Sequence, residues 1–245
     1  MLLVCDYHKI LSSNDFIREE NIKRLADWMN YGNMFLITFD CPTKEAEAIL
    51  KDNNIPIDFY STQNGAHLFD RNGNLLFEEN IPSGLLKKIE EIAHNSVVNE
   101  ILFDTTRNMN KESPLNKKVS CIYLGVNKDQ NCDAFYKYLF ELKKEYDYEL
   151  SFLPKEDMIY YIIKPKGVTR IKNVRFLEYY LPILKKFIVI DADKEDEADD
   201  ILDFNGYYIG NNNDDNNTFP SYDEFYLLVK NLPKKKVKNR LKCNL

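Results

Sequence analysis

Residues 34–77, MFLITFDCPTKEAEAILKDNNIPIDFYSTQNGAHLFDRNGNLLF, carry the pattern on which the fold turns. MFLITF (34–39) is an apolar run of strand length, and Thr43 to Asp52 has helical periodicity with Thr43 placed as its cap. IDFYST (57–62) reads as a further strand, and Asn72-Gly73 between the apolar arms of 67–77 is a hairpin signal. Upstream, LLVCD (2–6) reads as a buried strand. Residues 15–31 then set Phe16, Ile22, Leu25, Trp28 and Met29 close to one helical stripe, with Gly32 at the stop. The result is a βαβαβ run, which predicts a parallel sheet with helices on both faces.

Downstream the pattern changes. A helix is expected over 83–94, and from about 99 to 164 the strands EILFDT, VSCIYLGV, ELSFLP and MIYYIIKP surround one helix at 133–146, an antiparallel α+β layer. After Gly167 the alternation resumes: helix 170–181, strand 187–190, a helix near 196–204, strand 206–210 and helix 221–231. The expected architecture is therefore α/β. A Rossmann-like core with a mostly parallel sheet, built from 1–82 and 166–245, holds an inserted α+β domain at 83–165. The run at 211–217 reads as a surface loop, and the tail with Lys234, Lys235, Lys236, Lys238, Arg240 and Lys242 as a solvated end.

Composition bounds the function. A chain of 245 residues buries roughly 70% of its unfolded surface and needs no disulfides. Thirty-three basic against 39 acidic side chains, a net charge of −6, lack the basic footprint of a nucleic-acid binder. The five cysteines (5, 41, 121, 132 and 243) are odd in number and widely scattered, with no Cys-x-x-Cys pair to grip zinc, and a reduced compartment is the simple reading. No apolar stretch approaches the ~20 residues of a bilayer helix, and MLLVCDYHK meets charge too early for a signal peptide. These features predict a cytoplasmic protein without membrane or nucleic-acid partners.

In such a sheet, ligands sit off the carboxyl ends of the strands. There the sequence places Asp6-Tyr7-His8, Thr38-Phe39-Asp40, Asn64-Gly65, Arg170 with Lys172, and Asp191-Ala192-Asp193 followed by Glu195 and Asp196. Three of these have a plainer alternative. Thr38 can serve structure alone, Arg170 a surface ion pair, and DADKEDEADD the acidic first turn of a helix. His67 and His94 read as packed or surface histidines, and Cys5 as core. Tyr123, Phe135, Tyr136, Tyr160 and Tyr161 read as packing residues, or else as the lining of a sugar pocket.

Asp6 after the first strand, Thr38 after the second, NGAHLFDRNGNLLFEENI, an insertion, KPKGVTR and IVIDADKED together resemble the haloacid dehalogenase superfamily. The match is to its Cof-like branch of sugar-phosphate phosphatases with a large C2-type cap. The resemblance implies Asp6 as the nucleophile and His8 as acid and base, where the family carries a second Asp. Thr38 and Arg170 would hold phosphate, and Asn64 and Gly65 would bind substrate. Mg²⁺ would sit on Asp6, Asp191 and Glu195 or Asp196. The implied ligand is a small phosphorylated metabolite. Lys9 and Ile10 replace the family's Gly and Thr, so impaired catalysis is expected. The alternative is an inactive member that binds a phospho-ligand or a protein partner.

Overall fold

The computed structural model describes residues 2–7, 12–13, 16–17, 19–94, 97–106, 108–111, 118–181, 186–191, 207–209 and 218–219, and only the backbone at 12–13, 16–17, 19–21, 109–110, 186–191, 207–209 and 218–219. The chain opens with β1 (Leu2–Asp6), the short pair β2 (Ser12–Ser13) and β3 (Phe16–Ile17), α1 (Glu19–Asn30), β4 (Met34–Thr38), α2 (Thr43–Asp52), β5 (Phe59–Thr62) and the hairpin β6 (His67–Asp70) and β7 (Leu75–Glu78). All five residues of β1 are buried. Leu3 and Cys5 pack on one face with Leu25, Trp28 and Met29 of α1 and Ala46 of α2. Leu2 and Val4 pack on the other face with Ile171, Val174 and Leu177. Two covered faces explain why this strand is apolar at every position before Asp6. Each large side chain buried here contributes about 1.5–3 kcal/mol.

Several boundaries differ from expectation. The first helix starts at Glu19 rather than 15, because Phe16 and Ile17 pair with Ser13 and Ser12. Thr43 is not the cap of α2. Pro42 holds that position without a side-chain cap bond, and the Thr43 hydroxyl instead meets Thr62 Oγ1 at 2.8 Å. The third strand begins at Phe59, two residues late. His67 is buried, with Nδ1 3.4 Å from both Thr43 and Thr62 hydroxyls. The hairpin forms as read, and Gly73 takes φ +79° in its turn.

Next come α3 (Ser83–His94), β8 (Glu100–Thr105), β9 (Asn108–Asn110), β10 (Cys121–Asn127), α4 (Asp133–Leu142), β11 (Tyr148–Pro154) and β12 (Met158–Pro165). The second sheet, in the order β11-β12-β10-β8-β9, is antiparallel throughout. Period-two alternation sends Phe103, Ile122, Leu124 and Ile163 into a cluster with Leu85 of α3 and Leu139 of α4. Asp104, Cys121 and Tyr123 therefore take the opposite face. Of the aromatic residues singled out above, Phe135 and Tyr161 are core, whereas Tyr136 is exposed. The helix expected to run to 146 stops at Leu142.

The chain then returns through α5 (Arg170–Tyr180), capped by the Thr169 hydroxyl accepting from Lys172 N, to β13 (Lys186–Asp191), β14 (Tyr207–Ile209) and β15 (Thr218–Phe219). Among the described residues the first sheet has the order β15-β14-β13-β1-β4-β5-β6-β7. It is parallel from β15 to β5 and antiparallel at β6 and β7. The expected α/β, Rossmann-like class holds. The helices expected at 196–204 and 221–231, the 211–217 run and the basic tail lie outside the described residues. No described helix is long and apolar enough to cross a membrane.

Candidate active site

Parallel register sets the site. Asp6 pairs with Thr38 and Thr38 with Ser61, so three polar residues lie in register at or next to the carboxyl ends of adjacent strands. Two loops lie beyond those ends. Phe39 N donates to Ser61 O at 2.8 Å, Asn64 N to Phe39 O at 3.1 Å and Gln63 N to Cys41 O at 3.2 Å, which ties the loop after β4 to the turn at Gln63–Gly65.

That turn holds left-handed backbone at three successive residues: Gln63 φ +54°, Asn64 φ +56° and Gly65 φ +108°. Gly65 lies against the chain entering α5, where a Cβ would stand 2.5 Å from Thr169 O. Asn173, wholly buried, fixes the contact, its Nδ2 donating to Ser61 Oγ at 2.7 Å and Gly65 O at 3.1 Å. Seated this way, the start of α5 delivers Arg170 to the strand tips.

Arg170 is buried, and its Nη1 lies 2.8 Å from Asp6 Oδ2, itself buried. Nη2 donates to Asp40 Oδ1 at 2.8 Å and Nε to Asn64 Oδ1 at 3.2 Å. Asp40 is the open member of this group, its side chain 51% exposed. The guanidinium thus spans three acceptors in its planar fork, a geometry lysine cannot reproduce. It is no surface ion pair, as one sequence alternative had it. Thr38 is buried beside Asp6, its hydroxyl 3.4 Å from Cys5 O. Lys172, two residues beyond Arg170, turns away to pair with Glu79.

The structure thus gathers Asp6, Thr38, Asn64, Gly65 and Arg170. Asp191 ends β13, the strand parallel to β1 on its other side, so its backbone reaches the same edge; its side chain, and His8, Glu195 and Asp196, lie outside the described residues. Among the described residues no three His, Cys, Asp or Glu side chains form a metal-sized group. Cys5 is core, with its thiol pushed up well above the usual range by burial and then by the Asp6 charge. Sequence reasoning missed the role of Asn173, although it lies one helical turn after Arg170 on the same face. It also missed Gln63, whose Oε1 accepts from Tyr123 of the second sheet at 3.1 Å. No local signal links residues 60 apart.

A parallel sheet with a buried aspartate and arginine joined at its carboxyl edge defines a Rossmann-like α/β protein. A family model of haloacid dehalogenase-like hydrolases matches residues 10–188, and the chain belongs to that family. The matched span begins beyond Asp6 and His8. Solved structures agree in fold. One is a protein of Thermotoga maritima (16% identity, 85% of each chain covered, TM-score 0.68). Another is a subclass IIB sugar phosphatase of this superfamily (18%, 85% of this chain and 87% of that one, TM-score 0.60). A third is a haloacid dehalogenase-like hydrolase from B. subtilis (13%, 95% and 99%, TM-score 0.64). No curated protein matches by sequence. The resemblance to the Cof-like branch thus holds at the level of fold.

Proposed function

We propose that the protein is a cytoplasmic phosphomonoester hydrolase acting on a small phosphorylated metabolite of the sugar-phosphate type. In this reading residues 1–82 and 166–245 form the catalytic core and residues 83–165 its cap. The observation that carries the reading is the buried Asp6–Arg170 pair, 2.8 Å apart at the carboxyl edge of the parallel sheet. A carboxylate oxygen of Asp6 attacks phosphorus and the bond to the leaving oxygen breaks, with His8 giving that oxygen a proton. Water, losing a proton to His8, then attacks the aspartyl-phosphate and frees inorganic phosphate and the Asp6 carboxylate. Arg170 and Thr38 hold the non-bridging oxygens, and Asn64 and Gly65 border the substrate. Positioning and charge neutralisation lower most of the barrier in such transfers.

The donors fit a hard cation: Asp6 and Asp191 end neighbouring strands, and carboxylate oxygens suit Mg²⁺. Asp6, Asp191 and Glu195 or Asp196 would hold it. When bound it would offset the charge that builds on the transferred phosphoryl group.

Turnover is expected to be slow, because His8, Lys9 and Ile10 depart from the family's first motif. A second reading, an inactive member that keeps a phospho-ligand or protein partner, is favoured by the guanidinium of Arg170 being already engaged by Asp40 and Asn64. A Mg²⁺-dependent screen of sugar phosphates separates the two. Phosphate release by the natural chain, lost in Asp6→Asn, supports hydrolysis. Saturable phosphate binding without release leaves the second reading standing.

A further inference from the structure

The second sheet ends in a strand with little to keep it apart from other chains. Among the described residues β11 is the outer strand, and Ser151, Phe152, Leu153 and Pro154 along it are exposed. Edge strands are usually blunted by charge, a bulge or proline. β11 has no charge between Glu149 and Lys155 and keeps unbroken register with β12, which leaves Pro154 as its one guard. We propose that this edge and the adjoining flank of α4 form the interface for a second copy of the chain, a two-fold dimer in which β11 pairs with the partner's β11.

Backbone phase fixes where the axis falls. Lys155 N donates to Met158 O at 2.8 Å, so Glu149, Ser151 and Leu153, in phase with Lys155, turn their amides to β12. Leu150 and Phe152 turn theirs outward. An antiparallel copy centred on Ser151 sets Leu150 against the partner's Phe152, and each such pair exchanges two hydrogen bonds. Pro154, which has no N–H, falls at the end of that ladder.

The helix flank has the same symmetry. Asp133, Tyr136, Phe140 and Lys143 follow at helical spacing along one stripe of α4 and its last turn, and all four are exposed. The Tyr136 ring lies 6.5 Å from Phe140 and 5.7 Å from Phe152, which ties the stripe to the strand edge. Leu139 O accepts from the Tyr148 hydroxyl. The middle of the stripe therefore stands over the strand between Tyr148 and Phe152, where Ser151 lies. One axis serves both elements, bringing Asp133 to the partner's Lys143 and Tyr136 to the partner's Phe140.

Charge order selects this occupant. The stripe carries an acid at one end, a base at the other and rings between them, so its partner must present the reverse order. The same stripe run antiparallel does so, whereas a uniformly charged polyanion does not. Tyr136, Phe140 and Phe152 are 42%, 52% and 49% exposed, close to half of the ~150–250 Å² that such rings bury. That is roughly 300 Å² of aromatic surface against the ~800 Å² per copy of a stable interface, so strand backbone and polar rim supply the remainder. A weak dimer follows, with a dissociation constant on the order of 10 μM. The Tyr123 hydroxyl reaches Gln63 of the core from the opposite face of the sheet, so a copy seated on α4 leaves the strand tips open.

Sedimentation equilibrium of the full chain under reducing conditions, from about 1 to 200 μM, brackets that constant. The natural chain is expected to pass from 28.9 kDa to twice that mass. Phe140→Lys should stay monomeric throughout while keeping the natural urea midpoint when diluted to about 1 μM. Asp133→Lys and Lys143→Asp each oppose like charges at both ends of the interface and should each weaken the dimer about tenfold. An equimolar mixture of the two restores opposite charges at both ends and should recover the natural affinity. Ser151→Cys should cross-link on air oxidation where the natural chain does not, because residues facing each other across the axis stand within disulfide reach. A natural chain that remains at 28.9 kDa overturns the interface, as does a dimer that persists in Phe140→Lys. A mixture that recovers nothing overturns the two-fold arrangement.

Discussion

At Arg170 one guanidinium connects a buried carboxylate, an exposed carboxylate and an amide. Removing one partner of a buried ion pair leaves an uncompensated charge, which costs about 3–5 kcal/mol. Arg170→Ala should therefore lower the urea midpoint as well as abolish phosphate binding. Asp40 acts in the opposite direction. Its half-exposed carboxylate covers Nη2, and an incoming phosphate must displace it or share the guanidinium with it. Asp40→Asn keeps the shape and removes the competing charge, so inorganic phosphate should bind several-fold more tightly. Unchanged or weaker binding in a titration would show that Asp40 orients Arg170 rather than shields it.

Among the elements, the seating of the Gln63–Gly65 turn against the start of α5 decides the site. Gly65→Ala would put a Cβ 2.5 Å from Thr169 O at φ +108°. The backbone term alone is worth about 1–3 kcal/mol, and relief of the clash requires α5 to retreat with Arg170. Destabilisation and weakened phosphate binding are therefore expected together. Stability loss at full affinity, measured by urea unfolding and phosphate titration, would refute the coupling. The Thr43, Thr62 and His67 group is a second such junction, joining α2, β5 and β6 through buried hydroxyls.

For the molecule as a whole, two buried titrating groups bend stability in opposite directions with pH. Burial lowers His67 to about 4, against an ordinary value near ~6.5. The unfolded chain then binds the extra proton, and the stability contributed by neutral His67 is lost as pH falls through that window. Asp104, raised to about 7, behaves conversely. The folded chain holds the proton, and stability is lost as pH rises from about 4 to 7. The wild type's margin over His67→Gln should shrink from pH 7 to pH 4. The margin of Asp104→Asn over the wild type should grow from pH 4 to pH 7.5. Urea midpoints across that range check both, and parallel profiles for variants and wild type would refute the assignments.

Local pattern determined much of this. Apolar runs ending in Asp6 and Thr38, the Asn72-Gly73 turn and the helix at 83–94 are legible because periodicity and turn chemistry act over a few residues. The same pattern marked Asp6, Thr38, Asn64, Gly65 and Arg170 as strand-end and helix-start residues. Tertiary structure alone decided the rest. It drew the Thr43 hydroxyl from its expected cap to Thr62, set Asp40 on Arg170 across 130 residues of chain and brought Gln63 to Tyr123. Those contacts depend on how sheets and helices pack after the chain has closed long loops, and separations of that length leave no imprint on local periodicity.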